Sequence, residues 1–206
     1  MLKFWKILTY FSVGFLASAA TACTLGVVSG SGQPMPLTGD FKTSILDNAI
    51  RAETNLFRCK KGLQPLGEVP ALRSPSLSHS NWMAKKNKLS HTSNVRKMKT
   101  LRDRVSSTNL RVSYMAENIA YLPLFDFGGR YQVVDRSKCQ FRSASKGQIF
   151  PHTYASFAKE VVTMWINSPG HRKNLTGDFT HMAAAAALRS DRQTCGYVYA
   201  TQMFVR

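Results

Sequence analysis

The stretch that decides the fold is MAAAAALRSDRQTCGYVYATQMF, residues 182–204. It begins with an apolar run of small side chains at 182–188, continues with a polar segment at 189–194, and ends with alternating residues at 197–204. Alternation with a period of two is typical of a strand, and a polar segment between two such runs indicates a turn. Alanine favours a helix by intrinsic propensity, but a hairpin would bury both runs. We therefore predict an antiparallel hairpin over 182–204.

Helical patterns precede this hairpin. Apolar residues recur at spacings of three and four after Ser44, and this pattern ends near Gly62. A second helix is predicted from Pro75, with Ser74 as its N-cap, and a short one over 98–105. The strongest pattern runs from Tyr154 to Ser168 and is ended by Pro169-Gly170; its predicted apolar stripe is Phe157, Val161, Met164 and Trp165. The stretch 121–150 predicts a long loop with one strand. Helices followed by strands indicate an α+β fold, with helices packed on an antiparallel sheet.

Composition limits the class of protein and its partners. The 206 residues suit one domain plus a processing segment, and 44% hydrophobic residues exclude a disordered, collagen-like or coiled-coil chain. Lys and Arg number 28 against 11 Asp and Glu, which gives a formal net charge of +17. Such a charge favours anionic partners: nucleic acid, anionic lipid head groups or acidic polymers.

The first 22 residues indicate export. Lys3 and Lys6 precede an apolar run at 7–16 and small residues at 17–22, which is the order of a secretory signal peptide cleaved after Ala22. A retained membrane anchor is the alternative, but the run is shorter than the ~20 residues that span a bilayer. Cleavage removes two lysines and no acidic residue, so the formal charge falls from +17 to +15. We expect a periplasmic, membrane-anchored or secreted protein that meets the cell envelope and no nucleic acid. Residues 23–43 predict a flexible tether, and 44–206 the folded domain.

The four cysteines allow several arrangements. Cys23 follows the predicted cut as in a bacterial lipobox, although Ala20 stands where leucine is usual, so a lipid anchor at Cys23 is one expectation. The alternative is ordinary cleavage with this thiol free or paired. In an exported protein we predict a Cys139–Cys195 disulfide, because both residues flank polar, loop-like segments. Cys59 ends a helical apolar pattern, and burial as a free thiol is its simplest role.

Three polar clusters are candidates for chemistry: residues 90–92, 116–120 and 168–174. They contribute His91, Glu117 and His171, which together could hold a divalent metal ion or carry out acid–base chemistry. The structural alternative is that these histidines cap helix ends and that Glu117 accepts hydrogen bonds from backbone N–H groups. No serine, threonine or cysteine is placed by a motif as an activated nucleophile.

Five ordered segments resemble the CAP superfamily, which comprises cysteine-rich secretory proteins, antigen 5 proteins and plant pathogenesis-related proteins, and they are most similar to its bacterial branch. The first consists of NLFR (55–58) and GLQPL (62–66), and the other four are LSHT (89–92), AENIA (116–120), WINSPGHRKN (165–174) and YATQMF (199–204). The resemblance implies a three-layer α-β-α sandwich with a central antiparallel sheet. It also implies a cleft lined by His91, Glu117 and His171, which in some members holds a divalent cation such as zinc through histidines, here His91 and His171. Two family positions differ, because Ser168 and Asp178 stand where eukaryotic members have Glu and His.

These observations lead to two functional expectations. The first is a non-enzymatic, exported cell-envelope protein that binds a lipid or sterol-like ligand or an anionic envelope component, with a membrane tether through Cys23 as an option. The second is a metal-assisted hydrolase, a peptidase or an esterase, that uses the His/Glu cleft. Arg58, Asn118 and Trp165 are expected to serve the structure through buried hydrogen bonds. The sequence leaves the oligomeric state open.

Overall fold

The computed structural model describes residues 23–145 and 147–206. The predicted signal peptide, residues 1–22, lies outside the described residues. Within the described part of the chain, no helix is long and apolar enough to cross a membrane.

A four-stranded sheet forms the centre of the domain. Its strands, in spatial order, are β1 (Gly67–Glu68), β6 (His181–Arg189), β7 (Tyr197–Val205) and β2 (Met115–Pro123). β1 is parallel to β6, whereas β6, β7 and β2 are antiparallel to their neighbours. The predicted hairpin is confirmed, since β6 and β7 pair along their whole length, from His181 opposite Val205 to Arg189 opposite Tyr197. The alanine run is therefore a strand, because its pairing with β7 overrides its helical propensity.

Helices cover both faces of this sheet, as the resemblance implied. One face carries α1, α4 and α5, and the other carries α2 and α3, so the fold is an α-β-α sandwich. A short 3₁₀ turn at Pro70–Leu72 leads into α2. The helices are α1 (Thr43–Lys60), α2 (Arg73–Lys86), α3 (Leu101–Ser106), α4 (Tyr154–Asn167) and α5 (Pro169–Leu175).

Strand β6 explains why small side chains are needed at the centre. Side chains alternate across a strand, so Ala184 and Ala186 join the core under α1 and α4, while Ala183 and Ala187 join the clusters under α2 and α3. Both faces of β6 are thus buried between helices. Alanine lets the two helical layers approach the sheet closely.

The predictions for the individual helices hold with local differences. α1 and α4 lie where the patterns placed them, whereas α3, predicted over 98–105, runs from Leu101 to Ser106 and begins with a capping box between Thr100 and Asp103. α2 begins earlier than predicted, with Leu72 rather than Ser74 at the N-cap position. Met164 was assigned to the apolar stripe of α4, but its side chain is exposed. Pro169 ends α4 as expected and also begins α5, because proline is well tolerated at the first helical position.

The prediction of a long loop over 121–150 was wrong. After β2 the chain forms a second, three-stranded antiparallel sheet, whose strands are β3 (Gln132–Asp135), β4 (Gln140–Ser143) and β5 (Gly147–Ile149). Each strand is only three or four residues long, so alternation is too brief to show in the sequence. Phe141 is buried in this small sheet and contacts the rings of Phe125, Phe127 and Tyr131. This aromatic cluster supplies the apolar contact that stabilises strands of such length.

Two disulfides tie loops to the sandwich. Cys139 is bonded to Cys195, which is the predicted pair and joins the small sheet to the segment before β7. Cys23 is bonded to Cys59, so Cys59 is not the buried free thiol that its helical position suggested. A sulfur atom in a disulfide cannot also carry a thioether-linked lipid. With the Cys23–Cys59 bond formed, the sulfur of Cys23 is not available for a lipid, and the lipid anchor stays a prediction for a chain without this bond.

The segment 23–43 is packed against the domain rather than forming the predicted flexible tether. Met35 is fully buried in the main core, and its backbone N–H donates to the carbonyl of His152 at 2.8 Å. Pro34 forms an isolated β-bridge with Thr153. The glycine- and serine-rich composition suggested flexibility, but one buried methionine and one disulfide are enough to fix the segment in place.

Candidate functional site

The candidate site is built on β2, where successive side chains point to opposite faces of the sheet. Glu117 pairs with Met203 of β7 and lies on the face covered by α2 and α3. Asn118 pairs with Gln202 and points to the face covered by α1, α4 and α5. The Glu-Asn motif thus supplies one polar side chain to each layer of the sandwich.

Glu117 is buried, and both of its carboxylate oxygens are engaged. Oε2 accepts from Nη2 of Arg104 at 2.6 Å, and the guanidinium is itself fully buried. Oε1 lies 2.9 Å from Nδ1 of His91, whose side chain is 57% exposed, and 3.9 Å from Nε2 of His79. Glu117 is therefore the centre of a cluster that contains one permanent positive charge and two imidazoles.

Arg104 is held in this position by the chain around it. A capping box at Thr100 starts α3, and Arg104 is one of the two buried residues of this helix. The guanidinium also donates to the backbone carbonyls of Met98 and Lys99, each at 3.3 Å, and of His91 at 3.0 Å. Four acceptors thus share one guanidinium, which fixes its charge beside Glu117.

His79 contributes a neutral ring to the same cluster. It lies on α2 and is almost fully buried, and its Nε2 is 2.8 Å from the carbonyl of Ser90. Burial lowers the pKa of His79 from 6.5 to about 4, although the nearby Glu117 opposes this shift. The ring is therefore neutral at physiological pH, with Nε2–H donating to Ser90, and it fixes the loop that carries His91.

His171 lies close to this cluster but does not join it. It is half-buried in α5, where burial, and to a lesser degree the neighbouring His91, lower its pKa. Its backbone carbonyl accepts from Nδ2 of Asn118 at 3.3 Å. The structure thus brings His91 and Glu117 into direct contact and leaves His171 near them without a bond to either.

The three residues with an expected structural role do form buried hydrogen bonds. Arg58 donates to the carbonyls of Gln64, Leu175 and Gly177, and Trp165 donates to the carbonyl of Ile119. Asn118 belongs to a hydrogen-bond network between the sheet and the helices of one face. Its members, from α1 through β7 and β2 to α5, are Thr54, Gln202, Asn118 and Asn174.

The contacts that Glu117 makes with His91 and Arg104 do not fit a divalent cation in the cleft. A metal ligated by Glu117 would have to displace His91 or Arg104, and the buried guanidinium would repel the cation at a few ångströms. Within residues 23–145 and 147–206, one group of three His, Cys, Asp or Glu side chains has ligand atoms within 4.8 Å of one another. That group lies outside the cleft and contains neither His91 nor Glu117. We derive no chemical step through a metal at this cleft.

Sequence reasoning missed Arg104 and His79, the two residues that set the electrostatics of Glu117. Neither lies in a segment that resembles a family motif. The capping box at residues 100–103 was a usable signal for the start of α3, although it does not show which side chains of the helix are buried. No comparable signal indicated His79.

The surface next to the cleft is strongly basic. The segment 85–111 contains His91 and Arg104, and Asp103 is its one acidic residue. Its other cationic side chains are exposed to solvent. They are Lys85, Lys86, Lys88, Arg96, Lys97, Lys99, Arg102 and Arg111. Eight exposed cations thus lie in the segment of the chain that carries His91 and Arg104.

Comparisons with known proteins agree with this fold. The sequence matches the profile of the CAP family, described as the cysteine-rich secretory protein family, over residues 51–204. No curated protein matches it. Among solved structures, an extracellular protein containing an SCP domain from Bacillus anthracis str. Ames is 22% identical, with a TM-score of 0.53 over 80% of this chain and 41% of that chain. An outer surface protein from Borrelia burgdorferi is 15% identical, with a TM-score of 0.55 over 82% of this chain and 98% of that chain. At these identities the two structures support the fold alone.

Proposed function

Because the chain belongs to the cysteine-rich secretory protein (CAP) family, we propose that it is an exported binding domain that holds a phosphate- or carboxylate-bearing component of the cell envelope on the basic face formed by residues 85–111. The observation that carries this proposal is the concentration of eight exposed Lys and Arg side chains in the segment that also carries His91 and Arg104, with one acidic residue among them. Clustered cations raise the local concentration of anionic ligands and hold them through charge-assisted hydrogen bonds.

The internal arrangement of the cleft supports this function. Glu117 is the one buried carboxylate that could weaken anion binding here, and Arg104 neutralises it at 2.6 Å. The ring of His91 contacts the other oxygen of Glu117 and remains largely exposed. It can therefore move from Glu117 to a ligand and donate a hydrogen bond there. The face therefore keeps its positive potential up to the edge of the cleft.

Binding accounts for this geometry better than hydrolysis does. A metal-assisted hydrolase needs a metal with an open coordination position, and Arg104 occupies the carboxylate that would hold it. To act as a general base, Glu117 would need a free acceptor near the substrate, yet both of its oxygens are engaged. We therefore expect anion binding without turnover.

Three observations support export. The first 22 residues have the order of a signal peptide. Both disulfides favour an oxidising compartment. The Bacillus anthracis protein of similar fold is described as extracellular, and the Borrelia burgdorferi protein as an outer surface protein. We propose the same side of the membrane for this chain, with the domain released or retained by its charge.

Charge reversal at matched positions tests the proposal. One variant carries Lys97→Glu, Lys99→Glu and Arg102→Glu on the basic face, and its control carries Lys60→Glu, Lys61→Glu and Lys159→Glu on the face of α1 and α4. All six side chains are exposed, and both variants change the net charge equally. Binding is measured to vesicles of phosphatidylglycerol, to vesicles of phosphatidylcholine and to soluble polyphosphate, each at low and high salt.

We expect the first variant to lose about 100-fold in affinity for the anionic probes, since each cation near a charged surface contributes about 1 kcal/mol. The control variant should lose much less affinity for the anionic probes. Vesicles of phosphatidylcholine should bind neither of the two variants. Tighter binding to phosphatidylglycerol vesicles than to polyphosphate would identify a lipid head group as the source of the anion. Tighter binding to polyphosphate would identify a polymer. Equal losses in both variants would refute a localised site and leave only the net charge.

A further inference from the structure

Three metal-ligating side chains meet at a second place, outside the cleft. Asp126 follows β2, His152 precedes α4, and Glu160 lies in the second turn of α4. One potential ligand atom from each of them lies within 4.8 Å of the others, and Nε2 of His152 is 3.3 Å from Oε2 of Glu160. In the described part of the chain this is the one group with such spacing.

The backbone holds these residues together independently of their side chains. The N–H of His152 donates to the carbonyl of Leu124 at 2.8 Å, and the N–H of Asp126 donates to the carbonyl of Phe150 at 3.3 Å. Phe125 and Pro151 form a β-bridge between these bonds. The two segments that carry Asp126 and His152 are thus joined as a short antiparallel ladder.

The ring of His152 is oriented from behind. It is 2% exposed, and its Nδ1 lies 3.0 Å from Oγ of Ser156. The Ser156 hydroxyl can donate to the carbonyl of Thr153, 3.2 Å away, and so accept from Nδ1–H. In the tautomer that carries the proton on Nδ1, the lone pair of Nε2 faces Glu160, whose Oε2 is 3.3 Å away. Metal-bound histidines commonly donate their second ring N–H to a fixed acceptor in the same way.

We propose that Asp126, His152 and Glu160 form a binding site for a divalent transition-metal cation. One imidazole and two carboxylates are donors that Zn²⁺ and Mn²⁺ accept. Ligand atoms about 2.1 Å from a tetrahedral ion are about 3.4 Å apart, and the His152–Glu160 pair is already at 3.3 Å. Glu160 is on the surface, with a side chain 46% exposed, so it can move to complete the site and gives the ion a path from solvent.

This site is separate from the cleft. Pro123, the last residue of β2, is six positions after Glu117, and a strand rises about 3.3 Å per residue, so the strand alone separates the two places by about 20 Å. Arg104, which opposes a cation at the cleft, belongs to α3 on the other face of the sheet from α4. A metal at Asp126 therefore does not depend on the proposed anion binding.

Zinc titration of the chelator-treated protein by calorimetry tests this site. The test variants are Glu160→Gln and Asp126→Asn, which keep the shape of each side chain. Glu160 is exposed enough that its variant should fold normally. The controls are Asp40→Asn, an exposed carboxylate elsewhere, and His91→Ala in the cleft. Thermal unfolding with and without zinc provides a second readout, since an ion that binds the folded state raises Tm.

We expect about one zinc ion per chain, with a Kd of about 10 μM or tighter. Each test variant should weaken binding by at least about tenfold and lose the zinc-dependent rise in Tm, while both controls bind as the unmodified chain does. The proposal is overturned if the unmodified chain shows no saturable zinc binding. It is also overturned if Glu160→Gln and Asp126→Asn bind zinc unchanged, or if His91→Ala abolishes binding.

Discussion

The buried pair of Glu117 and Arg104 gives the sharpest test of the site described here. Glu117→Gln removes the carboxylate charge and keeps a side chain of the same shape. Arg104 then remains buried without its counter-ion, although the carbonyls of Met98, Lys99 and His91 still accept from it. Breaking a buried ion pair by removing one partner costs about 3–5 kcal/mol. Because those carbonyls remain, we expect the lower limit, a loss of about 3 kcal/mol in the free energy of unfolding.

A double-mutant cycle isolates the interaction itself. Urea unfolding is measured for the unmodified chain, Glu117→Gln, Arg104→Met and the double variant, with the disulfides intact. If the two charges act as a pair, the double variant should lose about as much as either single variant, which gives a coupling energy of about 2–3 kcal/mol. Arg102→Met on the same helix is the control. Arg102 is exposed, so its loss should stay within about 0.5 kcal/mol.

Additive losses would refute the reasoning. If the single losses sum to that of the double variant within about 0.5 kcal/mol, the two groups do not interact in the folded protein. A cost below about 1 kcal/mol for Glu117→Gln would mean that the guanidinium is hydrated, as in an exposed pair. Either result would also remove the main argument against a cation in the cleft.

Two further predictions concern stability. The pKa of His79 is lowered from 6.5 to about 4 in the folded state, so the unfolded chain binds a proton first as the pH falls, and the folded state loses stability between these two pH values. We expect the free energy of unfolding to fall by about 2 kcal/mol between pH 7 and pH 5. Urea unfolding at both pH values should show a smaller fall for His79→Gln. The Cys139–Cys195 bond joins residues 56 positions apart, so replacing both cysteines by serine should lower the free energy of unfolding by about 4 kcal/mol through loop entropy. The measurement is the midpoint of urea unfolding, which should fall. An unchanged midpoint would show that this bond does not restrict the unfolded chain.

The sequence was sufficient for the parts of the fold that have a long period. The pattern over 154–168 predicts α4, and the alternation over 197–204 predicts β7, because each repeats often enough to stand out from chance. The three strands between 132 and 149 are too short for any repeat to show. The burial of Met35 depends on contacts with a segment more than a hundred residues away, and no local pattern encodes such a contact.

The site shows the same division between local and distant information. His91 and Glu117 were found through segments that resemble the family, and the structure places them 2.9 Å apart. The sequence could not show that Arg104 would be buried against the same carboxylate, since burial of an arginine depends on the acceptors that the fold brings to it. Here those acceptors are carbonyls of residues 91, 98 and 99, which come from a loop without regular structure.

Arg104 also determines how a resemblance to this family should be interpreted at the level of chemistry. Matching histidines identify a cleft, but the sign of the charge beside Glu117 decides what the cleft can hold. A metal site needs ligands whose negative charge is available, and a buried guanidinium with four acceptors cannot withdraw from Glu117 without leaving several hydrogen bonds unmade. The guanidinium of Arg104 is also the buried positive charge of segment 85–111, whose other Lys and Arg side chains are exposed. Ser168 and Asp178 stand at two further positions where eukaryotic members have Glu and His, and Ser168 removes a carboxylate from the ligand set that the resemblance implied.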